Sequence, residues 1–185
     1  MVKIKAVLFA TVHKKARLCY DTDRTLGRIK RMSRYFPLFV DLEQKKIVVV
    51  GAGRIAERRI QTLLSFEAKI TVIAPEASVK IRELAKEGRL HWQQERWSPE
   101  AENFLDGSLF VLAAVDDGAV NKAVFRACRA RGIPVNCSDD RTRCDFYFPG
   151  IAEGGGVTAG ITAGGTNHRL AREATEKVRE LLSKI

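Results

Sequence analysis

What this 185-residue chain lacks narrows the field first. No apolar run approaches the roughly 20 residues that a membrane-spanning helix needs, so none is expected. Only four cysteines are present, at 19, 128, 137 and 144, and no two are spaced as CxxC. A chain of this length builds a core without disulfides, so the thiols point to a reducing cytoplasm. His13 and His91 have no partners at metal-ligand spacing. The six residues between Cys137 and Cys144 fit no standard zinc pattern, so no metal site is expected. Trp92 and Trp97 read as packing residues rather than a stacking platform for bases.

Positive charge is plentiful but badly distributed for a nucleic-acid binder. Of the net charge of +10, residues 1–31 supply +7, from nine Lys/Arg against Asp21 and Asp23. The remainder is nearly balanced, so no nucleic-acid partner is expected. The segment itself shows no helical or strand period. Its apolar stretch from Ala6 to Val12 is too short and too closely flanked by lysines for a signal peptide. Met32 follows directly. Three readings stay open: a non-native or mis-started extension, a basic tail that contacts a partner, or a docking arm. Residues 1–33 are set apart on this basis.

From Tyr35 onward the pattern alternates. The β-branched run Lys45 to Val50 stops at glycine, as a buried parallel strand does. A helix is expected from Gly53 to about Phe66, with Ile55, Ala56, Ile60, Leu63 and Leu64 inward. A strand over Lys69 to Ala74 closes at Pro75. Further helices are expected at Ser78 to Glu87 (Val79, Ile81, Leu84 and Ala85 inward), from Ser98-Pro99-Glu100, and at Asn121 to Arg131. Weaker strands fall at Leu90–Gln93 and Pro134–Cys137, and a strong one at Leu109–Val115. Strands alternating with helices over 45–138 imply a doubly wound parallel sheet with right-handed crossovers.

After Asp139 the style changes. Asp145 to Ala152 and Val157 to Thr162 read as strands joined by Glu153-Gly154-Gly155-Gly156, a hairpin connection. Thr166 to Lys184 reads as a helix with Leu170, Ala174, Val178, Leu181 and Ile185 on one stripe, which must cover the hairpin or another subunit. The expected class is therefore α/β: a Rossmann-type doubly wound sheet over 34–143, then a small α+β region over 144–185.

Gly51-Ala52-Gly53-Arg54-Ile55-Ala56 follows the first strand and opens the first helix as G-x-G-x-x-A. The first glycine permits a tight turn, the second lets backbone approach a pyrophosphate, and Ala56 lets helix and strand pack closely. The helix N-terminus adds amides and a partial positive charge. The strand–turn–helix context favours a dinucleotide over a merely structural turn. The usual ribose-binding acid is missing from the second strand end. Glu76, after Pro75, either meets the adenosine ribose or starts the next helix. No arginine stands there for a 2′-phosphate, which favours NAD. Ala113, Ala114 and Val115 end a strand where ligands bind, and the small alanines let a cofactor lie against backbone; the alternative is a tight exit capped by Asp116 or Asp117.

Several strings together resemble the precorrin-2 dehydrogenase family, the first module of siroheme synthases. They are Tyr35-Phe36-Pro37-Leu38-Phe39-Val40, the glycine loop through Arg59, and Ile70 to Pro75. Further on come Ala113 to Asp117 with Asn121, Val135-Asn136-Cys137-Ser138-Asp139, Phe146-Tyr147-Phe148-Pro149, and Gly164-Gly165-Thr166 with Leu170-Ala171-Arg172. The resemblance implies NAD-dependent oxidation of precorrin-2 to sirohydrochlorin, with Asp139 as the acid/base. It places Arg54, Ile55, Pro75 and Glu76 where NAD is held, and it implies a homodimer. A dehydrogenase that also inserts Fe²⁺ as a ferrochelatase is the nearest alternative. A non-catalytic NAD-sensing module is the alternative of another class.

The octa-acid substrate needs cations. Arg141, Arg143, His168, Arg169 and Arg172 lie near the change of style or at the start of the last helix. Gly164, Gly165, Thr166 and Asn167 would add amide donors for a carboxylate. Each arginine alone also reads as ordinary solvated surface. Asp139 at the strand end suits a proton acceptor, with an Asx-turn or a helix cap as its alternative role, and Asp140 is its rival.

Overall fold

The computed structural model describes residues 36–164 and 166–185. The basic segment 1–33, His13, Cys19 and Gly165 lie outside the described residues.

Five parallel strands form one sheet: β1 (Lys46–Val50), β2 (Lys69–Ile73), β3 (His91–Gln93), β4 (Phe110–Ala113) and β5 (Val135–Cys137). Their order is β3-β2-β1-β4-β5. That is the doubly wound arrangement, with the order reversing beside β1. β1 shows why its residues choose this place. Ile47, Val48 and Val49 are fully buried, and each such side chain contributes about 1.5–3 kcal/mol over exposure. Alternation sends them to opposite faces. Ile47 and Val49 join the core with Ala56, Ile60 and Leu63 of α1 (Arg54–Leu64) and Ile81 and Leu84 of α2 (Val79–Lys86). Val48 and Val50 join Val124, Ala127 and Cys128 of α3 (Gly118–Arg131).

Some details depart from the sequence expectation. The segment after Ser98-Pro99 is a 3-10 turn over Glu100–Leu105, not an α-helix. Asp106 turns extended and Gly107 takes φ +72°, so the chain reaches β4 with no room for another turn. Ala101 and Leu105 still fill the core. Ile55 and Val79 are exposed rather than inward. Both stand in a first helical turn, past the carboxyl edge of the sheet, where no strand lies opposite. α3 starts at Gly118, three residues early, because the Asp117 carboxylate accepts from the Ala119 and Val120 amides.

Residues 145–149 are not strand. The Asp145 carboxylate accepts from the Val135 amide, and Phe146 and Phe148 pack on the α1 side of the sheet. Phe146 meets Phe110 at 4.9 Å between centroids. The hairpin is then β6 (Gly150–Gly154) against β7 (Val157–Ile161), antiparallel. α4 (His168–Leu182) lies on it. Gly154 permits that approach, since a Cβ there would sit 2.7 Å from the Leu182 carbonyl oxygen. The expected stripe on α4 is only partly used. Thr175 and Leu182 are buried, while Leu170 (55% exposed) and Leu181 (41%) face outward, and Ile185, past the end of α4, lies beside Gly155 of the hairpin turn. The hairpin covers the adjacent face, and Thr175 packs against Gly150 there with its hydroxyl satisfied by the Ala171 carbonyl.

Candidate functional site

The turn after β1 is built by one close approach. Gly51 takes φ +106°, and a Cβ there would lie 2.3 Å from the Ala114 carbonyl oxygen. The Gly51 amide donates to the Ile73 carbonyl (2.9 Å), and the Ala114 amide donates to the Val50 carbonyl (2.8 Å). The exits of β1, β2 and β4 are thus tied together. Ala52 is buried, and its carbonyl accepts from the Ser78 amide.

Gly53 is the N-cap of α1 and makes no side-chain capping bond. The first helical bond runs from Glu57 to Gly53, so the Arg54, Ile55 and Ala56 amides precede it. A Cβ at Gly53 would meet nothing within 4 Å. An uncapped helix N-terminus facing open space, behind the tight turn at Gly51, fits a dinucleotide diphosphate. Arg54, Ile55, Pro75 and Glu76 are exposed around that turn.

The exit of β4 is rigid. Buried Asn121 donates from Nδ2 to the Val115 carbonyl (2.8 Å) and accepts at Oδ1 from the Val115 amide (3.2 Å). Ala113 is fully buried, and Ala114 and Val115 are half-buried. The Ser138 amide donates to the Ala113 carbonyl (2.9 Å), which brings the exit of β5 alongside.

Asp139 and Asp140 follow β5, and their surroundings separate them. Asp140 Oδ1 accepts from the Thr142 amide (2.8 Å) and the Thr142 hydroxyl (2.6 Å). These bonds, with the charge of Arg143, hold its carboxyl below the usual range. Asp140 is therefore the capping residue of the 3-10 turn Arg141–Arg143. Asp139 makes no such bond. Its side chain is 34% exposed, with Arg143 Nη1 at 4.0 Å. Cys137 and Cys128 below are neutral thiols, each pushed up to about 12 chiefly by burial. Among the described residues, no group of three or more His, Cys, Asp or Glu is placed to hold a metal ion.

A family model described as "Putative NAD(P)-binding" matches residues 38–150. The chain belongs to that NAD(P)-binding family. Siroheme synthase 1 of Yersinia enterocolitica is 38% identical over 148 residues, which are 80% of this chain and 31% of the relative. Siroheme synthase 1 of Serratia proteamaculans is 35% identical over 148 residues, 80% of this chain and 30% of the relative. The chain thus spans less than a third of the length of these relatives. The solved structure of SirC, a precorrin-2 dehydrogenase, matches with a TM-score of 0.66 and 28% identity, covering 80% of this chain and 71% of that one. The resemblance read from the sequence and the Rossmann-type fold are both borne out.

In this NAD(P)-binding chain the strand exits bring together Gly51–Ile55, Pro75–Glu76, Ala113–Val115 and Asp139. The remaining candidates follow later in the chain. Arg141 is exposed on the 3-10 turn, and Gly164 is half-buried ahead of α4. Thr166, Asn167, His168, Arg169 and Arg172 are exposed at the start of α4. Their recorded bonds are local: Asn167 caps the Leu170 amide, the Thr166 hydroxyl donates to the Ala163 carbonyl, and Arg169 pairs with Glu173.

Sequence reasoning missed Arg59. Its Nη1 donates to Asn136 Oδ1 (2.9 Å), its guanidinium stands 5.5 Å from the Phe148 ring centre, and Asn136 Nδ2 donates to the Phe146 carbonyl. Burial, then nearby Arg58, pulls its pKa down. The available signal was its position beside the inward stripe Ala56-Ile60-Leu63.

Proposed function

We propose that this chain oxidises precorrin-2 to sirohydrochlorin with NAD, as a step of siroheme biosynthesis in the cytoplasm. The observation that carries the reading is the exit of β5. It leaves Asp139, a half-exposed carboxylate with Arg143 Nη1 at 4.0 Å, on the same sheet edge as the glycine turn, in a chain similar to a precorrin-2 dehydrogenase. The absence of an arginine at the end of β2 supports NAD over NADP, with Glu76 available to the ribose.

Bound NAD supplies the hydride acceptor. The chain's own residues do the rest. The Arg54, Ile55 and Ala56 amides and the α1 N-terminus receive the diphosphate. Ala113, Ala114 and Val115, fixed by Asn121, give the cofactor a flat backbone wall. Arg141, Gly164, Gly165, Thr166, Asn167, His168 and Arg169 offer charge and amides to substrate carboxylates. As the hydride leaves a substrate carbon, the Asp139 carboxylate takes the proton from the adjoining position. A double bond forms, and the proton then passes to water.

The uncovered apolar face of α4 (Leu170, Leu181) and the exposed run Phe36, Leu38, Phe39 and Val40 support a homodimer. We divide the chain functionally at residues 34–143 and 144–185.

The test is anaerobic NADH absorbance on adding precorrin-2. Wild type is expected to form NADH, and Asp139→Ala to be slower by about 10² to 10⁴. No NADH from wild type would overturn the reading. Adding Fe²⁺ to the same reaction tests metal insertion, with iron as substrate.

A further inference from the structure

The 3-10 turn Arg141–Arg143 folds one guanidinium back over both aspartates. Arg143 Nε lies 3.1 Å from Asp140 Oδ2, and its Nη1 lies 4.0 Å from Asp139 Oδ2. The two ends of this fork are in different condition. The Nε end is paired with a carboxylate that Thr142 already holds. The Nη1 end is shut from solvent and has no hydrogen-bond partner. A buried donor left unsatisfied costs about 1–3 kcal/mol, and more when it is charged. Such atoms in a folded protein call for a reason.

The surroundings supply one. Because Nη1 is buried, a substrate carboxylate arriving from solvent does not reach it. The acceptor at hand is Asp139 Oδ2, about 1 Å beyond a charge-assisted hydrogen bond of roughly 2.7–2.9 Å. The other side of that carboxylate is also specified. A Cβ on Gly118, the first residue of α3, would lie 3.3 Å from Asp139 Oδ2. The carboxylate therefore rests on a helix N-terminus whose nearest acid, Asp117, already caps the Ala119 and Val120 amides. From β5 the facing group is the neutral Cys137 thiol, and from the turn it is Asp140.

We propose that Arg143 is a positioning residue for Asp139: its free Nη1–H closes on Oδ2 when substrate is bound, which fixes the carboxylate so that Oδ1 points at the proton to be taken. Arg143 does not touch the substrate. The inference rests on the reading of Asp139 as the acid/base, and the experiment separates the two.

Arg143→Ala, Arg143→Lys and Asp139→Asn are compared in the full chain by anaerobic NADH formation from precorrin-2, with NADH binding followed by fluorescence. Arg143→Ala is expected to lower kcat roughly 10- to 100-fold, the scale of an ångström-sized misplacement. KM for precorrin-2 and NADH affinity are expected to stay within about threefold, and added guanidinium to restore part of the rate. Arg143→Lys is expected to fall between, since an ammonium keeps charge but loses the fork. It also serves if the alanine variant fails to fold. In an Asp139→Asn background, Arg143→Lys is expected to cost nothing further. A raised KM with unchanged kcat would overturn the proposal by making Arg143 a substrate contact. So would independent losses in the double variant, or full activity in Arg143→Ala beside a dead Asp139→Asn. A fully active Asp139→Asn would instead remove the reading on which the proposal stands.

Discussion

β1 of the five-stranded sheet has strands on both edges and helices on both faces, and its residues Ile47 to Val49 see no solvent. β6 and β7 have each other and one helix. Among their residues only Ala152 is buried, and α4 keeps Leu170 and Leu181 outside. Composition is part of the contrast, since β1 is a β-branched run while β6 and β7 carry three glycines in ten residues. Layering is the other part. A sheet with helices on both faces closes its core, whereas two strands under one helix keep one face of the hairpin and one face of the helix in solvent. The first region can therefore hold a rigid site, and the second leaves the apolar side chains Leu170 and Leu181 in solvent.

Three measurements would break or sharpen that contrast. The largest effect is expected where the closed region is tightest. Gly51→Ala puts a methyl 2.3 Å from the Ala114 carbonyl oxygen at φ +106°. A stability loss on the order of 3 kcal/mol is expected in urea titration, together with loss of NADH binding. An unchanged melt would show that the turn is not pinned to β4.

The next effect concerns the buried thiols. Cys128 and Cys137 are pushed up to about 12, chiefly by burial, against an unfolded value near 8.5. Each favours the folded state below the unfolded value. That contribution is lost as pH rises from about 9 towards 12, by up to about 1.4 kcal/mol per thiol and pH unit. Denaturation at pH 8, 9.5 and 10.5 should show the loss, and Cys128→Ala with Cys137→Ala should flatten it. A wild-type stability independent of pH across this range would argue against closed packing there.

The smallest effect on stability is expected in the open region. Leu170→Glu with Leu181→Glu alters exposed side chains, so the melt of a dilute sample should move by about 0.5 kcal/mol or less. Sedimentation should nevertheless change from dimer to monomer. A monomeric wild type would remove the need for a partner on that face.

Much of the closed region was legible because its signals are local. Runs ending at Gly51, Pro75 and Asp116 mark the strands, and Ser78 caps α2 from within the sequence. Asp139 could not be told from Asp140 by sequence, because the difference lies in which one Thr142 claims. The 3-10 turn at Glu100–Leu105 followed from the span available between β3 and β4, a tertiary quantity. The stripe on α4 misled because apolar side chains cover more than a third of its circumference, and periodicity does not say which part meets the hairpin. Arg59 was hidden for a related reason, since an arginine beside a buried stripe normally faces water.

The Arg59 contact also has a bearing on salt. Ion pairs such as Lys80–Glu83 and Arg169–Glu173 are exposed and weaken as counterions accumulate. Arg59 leans on an amide and an aromatic ring, largely away from solvent. The helix that opens at the glycine turn is therefore joined to the strand ahead of Asp139 by a strut with no carboxylate for counterions to screen, and the spacing between α1 and β5 is expected to change little between brine and dilute buffer.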